Sequence, residues 1–405
     1  MKIYNSLSRR LEEFKPLHKN KVTIYVCGIT PYDTTHLGHA FTYIFFDVLI
    51  RYLKFKGFNV IYTQNVTDIN DRDKDILQRA KEQNTPWQDL ADFWTKRFLQ
   101  DMQVLNWTPP DHYLKASEQL VSIIRIINTL LQNGYAYKTG PSVYLDISRF
   151  PEYGKLSKFT KKQMIKKAEE FDEDLRNPDK KNPLDITLWR GSLASHSSSG
   201  NASGNVVPDH IPSFDSPFGP GRPGWHIECS AMSMSTLGQQ IDIHGGGRDL
   251  IFPHHEAEIA QSEGATGKAP FAKYWIHTGQ AFYRGQRMSK SKDNLIMVSD
   301  LLKKYSPNAI RWLLLSRHWS KDWEYKEKDL QKAQRNMKII ESDSGVGRSL
   351  DLPRMTKIQT REYNEFIQIL DNNLDTPKAL EFLLRLTKKS PELFKSFYEI
   401  LGFTL

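Results

Sequence analysis

Cysteine is scarce in this sequence: two among 405 residues, Cys27 and Cys229, about 200 positions apart. Two thiols so far apart exclude the dense disulfide framework of a small secreted domain. No apolar run approaches the roughly 20 residues needed to cross a bilayer. The opening Met1-Lys2-Ile3-Tyr4-Asn5 also lacks the apolar region of a secretory signal. These absences lead to the expectation of a cytoplasmic protein with no membrane partner and reduced thiols. Acidic residues are outnumbered, 47 against 56 Lys and Arg, and the formal charge of +9 suits a polyanionic partner such as RNA. The hydrophobic share, 39%, is enough to bury a sizeable core in two or three domains.

The chemistry is concentrated around Cys27-Gly28-Ile29-Thr30-Pro31-Tyr32-Asp33-Thr34-Thr35-His36-Leu37-Gly38-His39. Upstream, Val22 to Val26 is a β-branched and aromatic run, the pattern of a buried strand. Downstream, Phe41, Ile44, Phe45, Val48, Leu49 and Leu53 recur at helical spacing, so a helix is predicted to begin near Leu37. A second strand, Asn59 to Val66, follows the turn at Lys56-Gly57. This β-loop-α-β unit is half of a nucleotide-binding fold, with His36 and His39 at a helix N-terminus that favours phosphate. Thr67 and Asp68 lie just past the second strand, where ligands bind in open α/β sheets and where a helix cap is equally expected.

Helical patterning from about Asp73 to Gln132 interrupts the alternation and predicts an inserted connective segment, with a strand at Val143 to Ile147. Lys161 to Lys181 has the composition of a charged helix and loop at the surface, and Ser195 to Val206 that of a flexible loop. Gly and Pro around Phe218 to Gly224 predict a loop presenting Trp225 and then Cys229. A strand over Gln240 to Ile243 leads into Gly245-Gly246-Gly247 and Asp249, glycines that allow close backbone approach and a carboxylate suited to ribose hydroxyls. If a helix starts at Pro253, His254 and Glu258 stand four apart and face the same way. Cys27, Cys229, His254 and Glu258 then form an N/S/O set suited to zinc, although ordinary polar contacts at a helix start would account for the histidines as well. Arg287-Met288-Ser289-Lys290-Ser291 is a basic loop with hydroxyls, of the kind that closes over a triphosphate. Ser299 to Lys326 is expected to be helical, Gly345 and Gly347 to mark a hinge, and residues 358 to 402 to form a small helical bundle.

Together these residues resemble the cysteinyl-tRNA synthetase family of class I aminoacyl-tRNA synthetases. His36-Leu37-Gly38-His39 is similar to the HIGH signature and Arg287 to Ser291 to its KMSKS partner, with Gly224 to Cys229 and Phe252 to Glu256 between them in the family's order. The resemblance implies an α/β fold: a Rossmann-type parallel sheet with an inserted connective segment and a C-terminal α-helical bundle. It divides the chain into 1–72, first half of the catalytic domain; 73–205, the insertion; 206–298, second half with the zinc site and KMSKS-like loop; and 299–405, helical stem and bundle without an anticodon-binding domain. It implies that Cys27, Cys229, His254 and Glu258 bind one zinc ion that recognises the substrate thiol. It implies further that Thr67 and Trp225 contact L-cysteine, and that Thr30, His36, His39, Gly245, Gly246, Gly247, Asp249, Arg287 and Lys290 bind ATP, used with Mg2+. His36, His39 and Lys290 would be catalytic, with Lys290 stabilising the pentavalent α-phosphate.

The implied reaction gives cysteinyl-adenylate and then charges an acceptor. Two acceptors are open. Gly28 to Asp33, Pro110 to Tyr113 and Asp322 to Tyr325 are closer to a paralogue that joins cysteine to the amine of glucosaminyl-inositol. His244, Glu228 to Met232 and Ala257 to Ser262 are closer to the tRNA enzymes, and with the basic charge they favour tRNA(Cys). A non-catalytic RNA-binding relative would carry damaged ATP motifs, and His36, His39 and Lys290 all stand. Arg287 departs from the family's lysine, keeping charge with a different geometry.

Overall fold

The computed structural model describes residues 1–72, 75–192, 212–289, 292–343, 357–386 and 390–404. Its centre is a five-stranded, all-parallel sheet in the order Ala272–Thr278, Ile241–Gly247, Lys21–Ile29, Asn59–Val66, His112–Lys115. The strand Lys21–Ile29 lies in the middle and is buried on both faces, as its near-continuous apolar run requires. Its side chains alternate: Ile24 and Val26 enter one core, Tyr25 and Cys27 the other. After this strand the chain builds outward through Asn59–Val66, then returns to add Ile241–Gly247 on the opposite side. The order therefore reverses beside the carboxyl end of Lys21–Ile29, the place where open α/β sheets bind ligands.

The helix Leu37–Phe55 joins the first two sheet strands and is buried nearly all round. Helix Pro307–Leu315 packs against it, and the pair is locked by a buried charge cluster. Asp47 accepts from Arg311, from Arg51 at 3.0 Å and from the Thr108 amide at 2.9 Å. Arg311 also donates to the Leu401 carbonyl at 2.7 Å and the Leu105 carbonyl at 2.9 Å. Burial pushes the Asp47 carboxyl up, but Arg311 and Arg51 more than reverse this and hold it below the usual range. One cluster thus ties the helix Leu37–Phe55 to the chain at Leu401, which follows the terminal helices Lys357–Asp371, Thr376–Leu386 and Pro391–Ile400, whose Phe366 and Phe397 rings stack at 3.9 Å.

Several local expectations change. His112–Lys115, inside the range read as helical insertion, is an edge strand of the central sheet. Four residues behind Pro109-Pro110 are too few to show a period. The four-stranded antiparallel sheet of the insertion runs Ala136–Thr139, Ser142–Leu145, Ile186–Gly191, Gly221–Pro223. The expected loop at Trp225 is the start of helix Trp225–Leu237, buried from His226 to Ser233 and so without a polar face to reveal it. Residues 299–326 are not one helix. Val298–Leu302 ends, Ser306 caps Pro307–Leu315 by accepting from the Ala309 amide at 3.2 Å, and Trp323–Glu324 is a short strand beside Ala281–Tyr283. The first twenty residues precede the central strand. They fold as a hairpin, Lys2–Asn5 with Arg10–Glu13, and Asn5 covers the sheet edge by pairing with the Lys273 carbonyl and Trp275 amide, both at 3.0 Å. The Ser-rich stretch 195–206 and the glycines at 345 and 347 lie outside the described residues.

Arg311→Ala would leave the Asp47 charge buried with only part of its compensation. We expect a loss of about 3–5 kcal/mol in denaturant unfolding. Because the Asp47 pKa is lower folded than unfolded, the cluster's contribution is present above roughly pH 4 and is lost as pH falls through the carboxylate range. A loss below about 1 kcal/mol, the scale of a surface pair, would show that the cluster does not hold the bundle.

Candidate active site

The site starts from a backbone constraint. A β-carbon at Gly28 would lie 1.6 Å from the Asn65 carbonyl oxygen, so only glycine permits the strands to meet here, next to the register shift between Val26 and Ile29. The Gly28 amide donates to Asn65 Oδ1 at 2.8 Å. The Asn65 amide nitrogen is thereby turned toward Cys229 Sγ at 3.5 Å and Thr67 Oγ1 at 3.3 Å.

Four expected ligands converge. Cys27 lies near the carboxyl end of the central strand, Cys229 sits on helix Trp225–Leu237, and His254 and Glu258 lie one turn apart on helix His254–Thr266. Their donor atoms all fall within 4.8 Å of one another, and all four residues are buried. Cys27 Sγ is 3.6 Å from Glu258 Oε1, which is 3.3 Å from His254 Nε2. A second set, Cys27, His244, His255 and Glu258, satisfies the same limit, with Cys27 Sγ 3.3 Å from His255 Nε2 and 3.6 Å from His244 Nε2.

Burial, followed by the hydrogen bond to Cys229, pushes the Cys27 thiol well up, and burial raises Glu258. Burial also depresses the imidazoles: His254 and His255 well below their usual value, His244 and His277 to about 3. Neutral imidazoles keep a lone pair for a metal. Glu258 Oε2 is buried without a hydrogen-bond partner, which a divalent cation would remedy. The donor set fits a metal ion.

Beyond the ligands the rings form a chain: His255 Nδ1 to His277 Nε2 at 2.7 Å, and His277 Nδ1 to Ser6 Oγ at 2.8 Å. His254 Nδ1 meets His226 Nδ1 at 2.8 Å, and His226 Nε2 meets Glu173 Oε1 at 3.1 Å. Burial alone would raise the Glu173 carboxyl; His226 and Arg72 hold it at about 2. Trp225 stacks on His254 at 4.2 Å, and the Arg72 guanidinium lies 4.0 Å from the Trp225 ring centre.

Above the cluster opens a cavity of about 670 Å3 lined by Cys27, Thr30, His36, His39, Trp225, Gly247, Asp249 and Arg287, among others. His36 Nδ1 accepts from the Gly38 amide at 3.0 Å, capping helix Leu37–Phe55, and its ring stacks on His39 at 3.7 Å. Arg287 lies 3.6 Å from Asp249. Gly245, Gly246 and Thr67 do not line the cavity. Gly245 is demanded by packing, since a β-carbon there would lie 2.0 Å from the Phe46 ring. Lys290 lies outside the described residues. The chain that follows the basic loop is sewn to the histidine helix: Leu37 donates to the Ile296 carbonyl and Val298 to the Thr35 carbonyl, both at 2.9 Å.

Asn65, Arg72, Glu173, His226, His244, His255 and His277 are site neighbours that no candidate set contained. Adjacency to Trp225 and His254 was a signal for His226 and His255. For Arg72 and Glu173 the sequence holds none, and Glu173 lies in the segment expected to be surface.

A family model described as the class I (C) tRNA synthetase catalytic domain matches residues 13–335, more than half of the chain. A cysteine–tRNA ligase from Dehalococcoides mccartyi is 42% identical, covering 100% of this chain and 87% of that protein. The cysteine–tRNA ligase of Thermodesulfovibrio yellowstonii is 40% identical over 96% of this chain and 78% of that one, and that of Pyrococcus furiosus 44% identical over 82% and 65%. Among solved structures, Mycobacterium tuberculosis methionyl-tRNA synthetase in complex with methionyl-adenylate shares the fold with a TM-score of 0.61 at 13% identity, covering 95% of this chain and 88% of that chain.

Cys229→Ala removes one thiolate from the first donor set and leaves the second intact. If the metal occupies the first set, the purified variant should lose its metal by elemental analysis. Unchanged stoichiometry would place the ion on His244 and His255 or remove the assignment.

Proposed function

The chain belongs to the cysteine–tRNA ligase family of class I tRNA synthetases, and from that membership we propose that it activates L-cysteine with ATP and charges tRNA(Cys). The observation that carries this reading is a buried Cys/Cys/His/Glu cluster whose Cys27 lines the same cavity as His36 and His39 at a helix N-terminus. We assign zinc to Cys27, Cys229, His254 and Glu258: a soft Lewis acid prefers a thiolate to serine's hydroxyl, so cysteine is selected without an editing site.

The residues divide the remaining work. Trp225 forms the wall of the cysteine pocket, and Thr67 contributes through Asn65, which it helps to orient. Thr30, His36, His39, Gly247, Asp249 and Arg287 receive ATP, Gly245 and Gly246 shaping the strand that presents Gly247. Mg2+ accompanies the triphosphate. The cysteine carboxylate oxygen attacks the α-phosphorus, the bond to pyrophosphate breaks, and Lys290 balances the charge that develops. Rate then comes from positioning and electrostatics, with no covalent enzyme intermediate. Attack by a terminal tRNA hydroxyl on the activated carbonyl releases AMP.

tRNA is favoured over the amine of glucosaminyl-inositol because relatives named for tRNA charging align over most of the chain. No helix among the described residues is long and apolar enough to cross a membrane, and we place the enzyme in the cytoplasm, where translation uses its product.

Incubating the purified protein with ATP and radiolabelled cysteine, with total tRNA or with glucosaminyl-inositol, should put label on acid-precipitable RNA alone. Label on the amino sugar would overturn the acceptor. Lys290→Ala should slow adenylate formation by roughly 100-fold while leaving cysteine binding nearly unchanged; an unaltered activation rate would take Lys290 out of the mechanism.

A further inference from the structure

Glu173 stands in the segment between helix Lys161–Glu170 and strand Ile186–Gly191, far in sequence from every candidate ligand. Its carboxylate oxygen Oε1 nevertheless receives two groups of the site: His226 Nε2 at 3.1 Å and Arg72 at 2.9 Å. A carboxylate can only accept, so His226 Nε2 must carry the proton. When the His226 ring is neutral, with its proton on Nε2, its lone pair lies on Nδ1. The contact of 2.8 Å between His226 Nδ1 and His254 Nδ1 needs one donor, and His254 Nδ1 must supply it. The lone pair of His254 then sits on Nε2, the nitrogen that lies 3.3 Å from Glu258 in the donor cluster. The same Glu173 oxygen holds Arg72, whose guanidinium lies on Trp225, the ring stacked against His254.

We propose that Glu173 is a positioning residue for the metal centre, using His226 as a relay to set the tautomer and orientation of His254 and so presenting Nε2 to the ion. The proposal rests on the assignment of His254 as a metal ligand. It makes the inserted segment part of the amino-acid specificity apparatus, although that segment supplies no ligand. Hydrogen bonds of this kind to a ligating imidazole are worth about 10- to 100-fold in metal affinity.

Glu173→Gln keeps the size of the side chain but offers a neutral amide that can donate as well as accept, and Glu173→Ala removes the partner. The test is the affinity of metal-free protein for Zn2+ by chelator competition, with the visible absorption of the Co2+ form as a report on ligand geometry. We expect affinity about tenfold weaker for Gln and weaker still for Ala, an altered Co2+ spectrum, and a raised KM for cysteine with KM for ATP unchanged. A Gln variant with the affinity and spectrum of the parent overturns the proposal. So does weaker binding matched by an equal loss of thermal stability in the metal-free protein, which would mean simple packing. If the parent itself fails to bind Zn2+ or Co2+, the metal assignment falls and this inference with it.

Discussion

A side chain at residue 28 would occupy the space of the Asn65 carbonyl, and the site depends on that space being empty. The close approach at Gly28 lets two central strands stay paired through a register shift while the chains beyond them diverge. One exit leads to His36 and His39, the other to Thr67 and Arg72. Because side chains alternate along a strand, the same geometry turns Cys27 toward the face on which the helices of Cys229 and His254 pack. Three distant stretches thereby deliver ligands to one point without a flexible loop among them. Rigid placement of this kind would suit a metal centre, whose ligands must hold a fixed geometry.

The burial of so many polar groups would be costly without that purpose. Cys27, His244, His254, His255 and Glu258 are all removed from water, and an unpaired buried polar group costs on the order of 1–3 kcal/mol. The fold answers part of this with the chain of rings running out to Ser6 and Glu173. A cation would answer the rest, and would couple stability of this region to metal binding. The outer anchors come from the N-terminal hairpin and from the inserted segment, so both peripheral elements have a physical stake in the centre.

The opposite face of the sheet carries a different device. Asp47 and Arg311 are both buried, and together they gather the helix after His36, the turn at Leu105 and Asn106, and the chain at Leu401. The helix whose N-terminus faces the cavity is therefore held at Asp47 and Tyr52 by Arg311 and by the C-terminal bundle. The chain after the basic loop is hydrogen-bonded to the same helix start.

Residue types and local periodicity by themselves determined the first β-α-β unit, and they singled out two thiols, an imidazole and a carboxylate whose donor atoms the structure brings within 4.8 Å of one another. These are legible because apolar spacing records which face of an element is buried, and because so few residue types can bind a soft metal. Short or fully buried elements were not legible: the edge strand His112–Lys115 has too few residues for a period, and helix Trp225–Leu237 has no exposed face to mark it. Tertiary structure alone decided that Gly245 serves packing against Phe46, that a second donor set overlaps the first, and that Arg72 and Glu173 meet beside Trp225. Contacts between residues a hundred positions apart arise from the path of the chain through space, and a linear pattern carries no record of it.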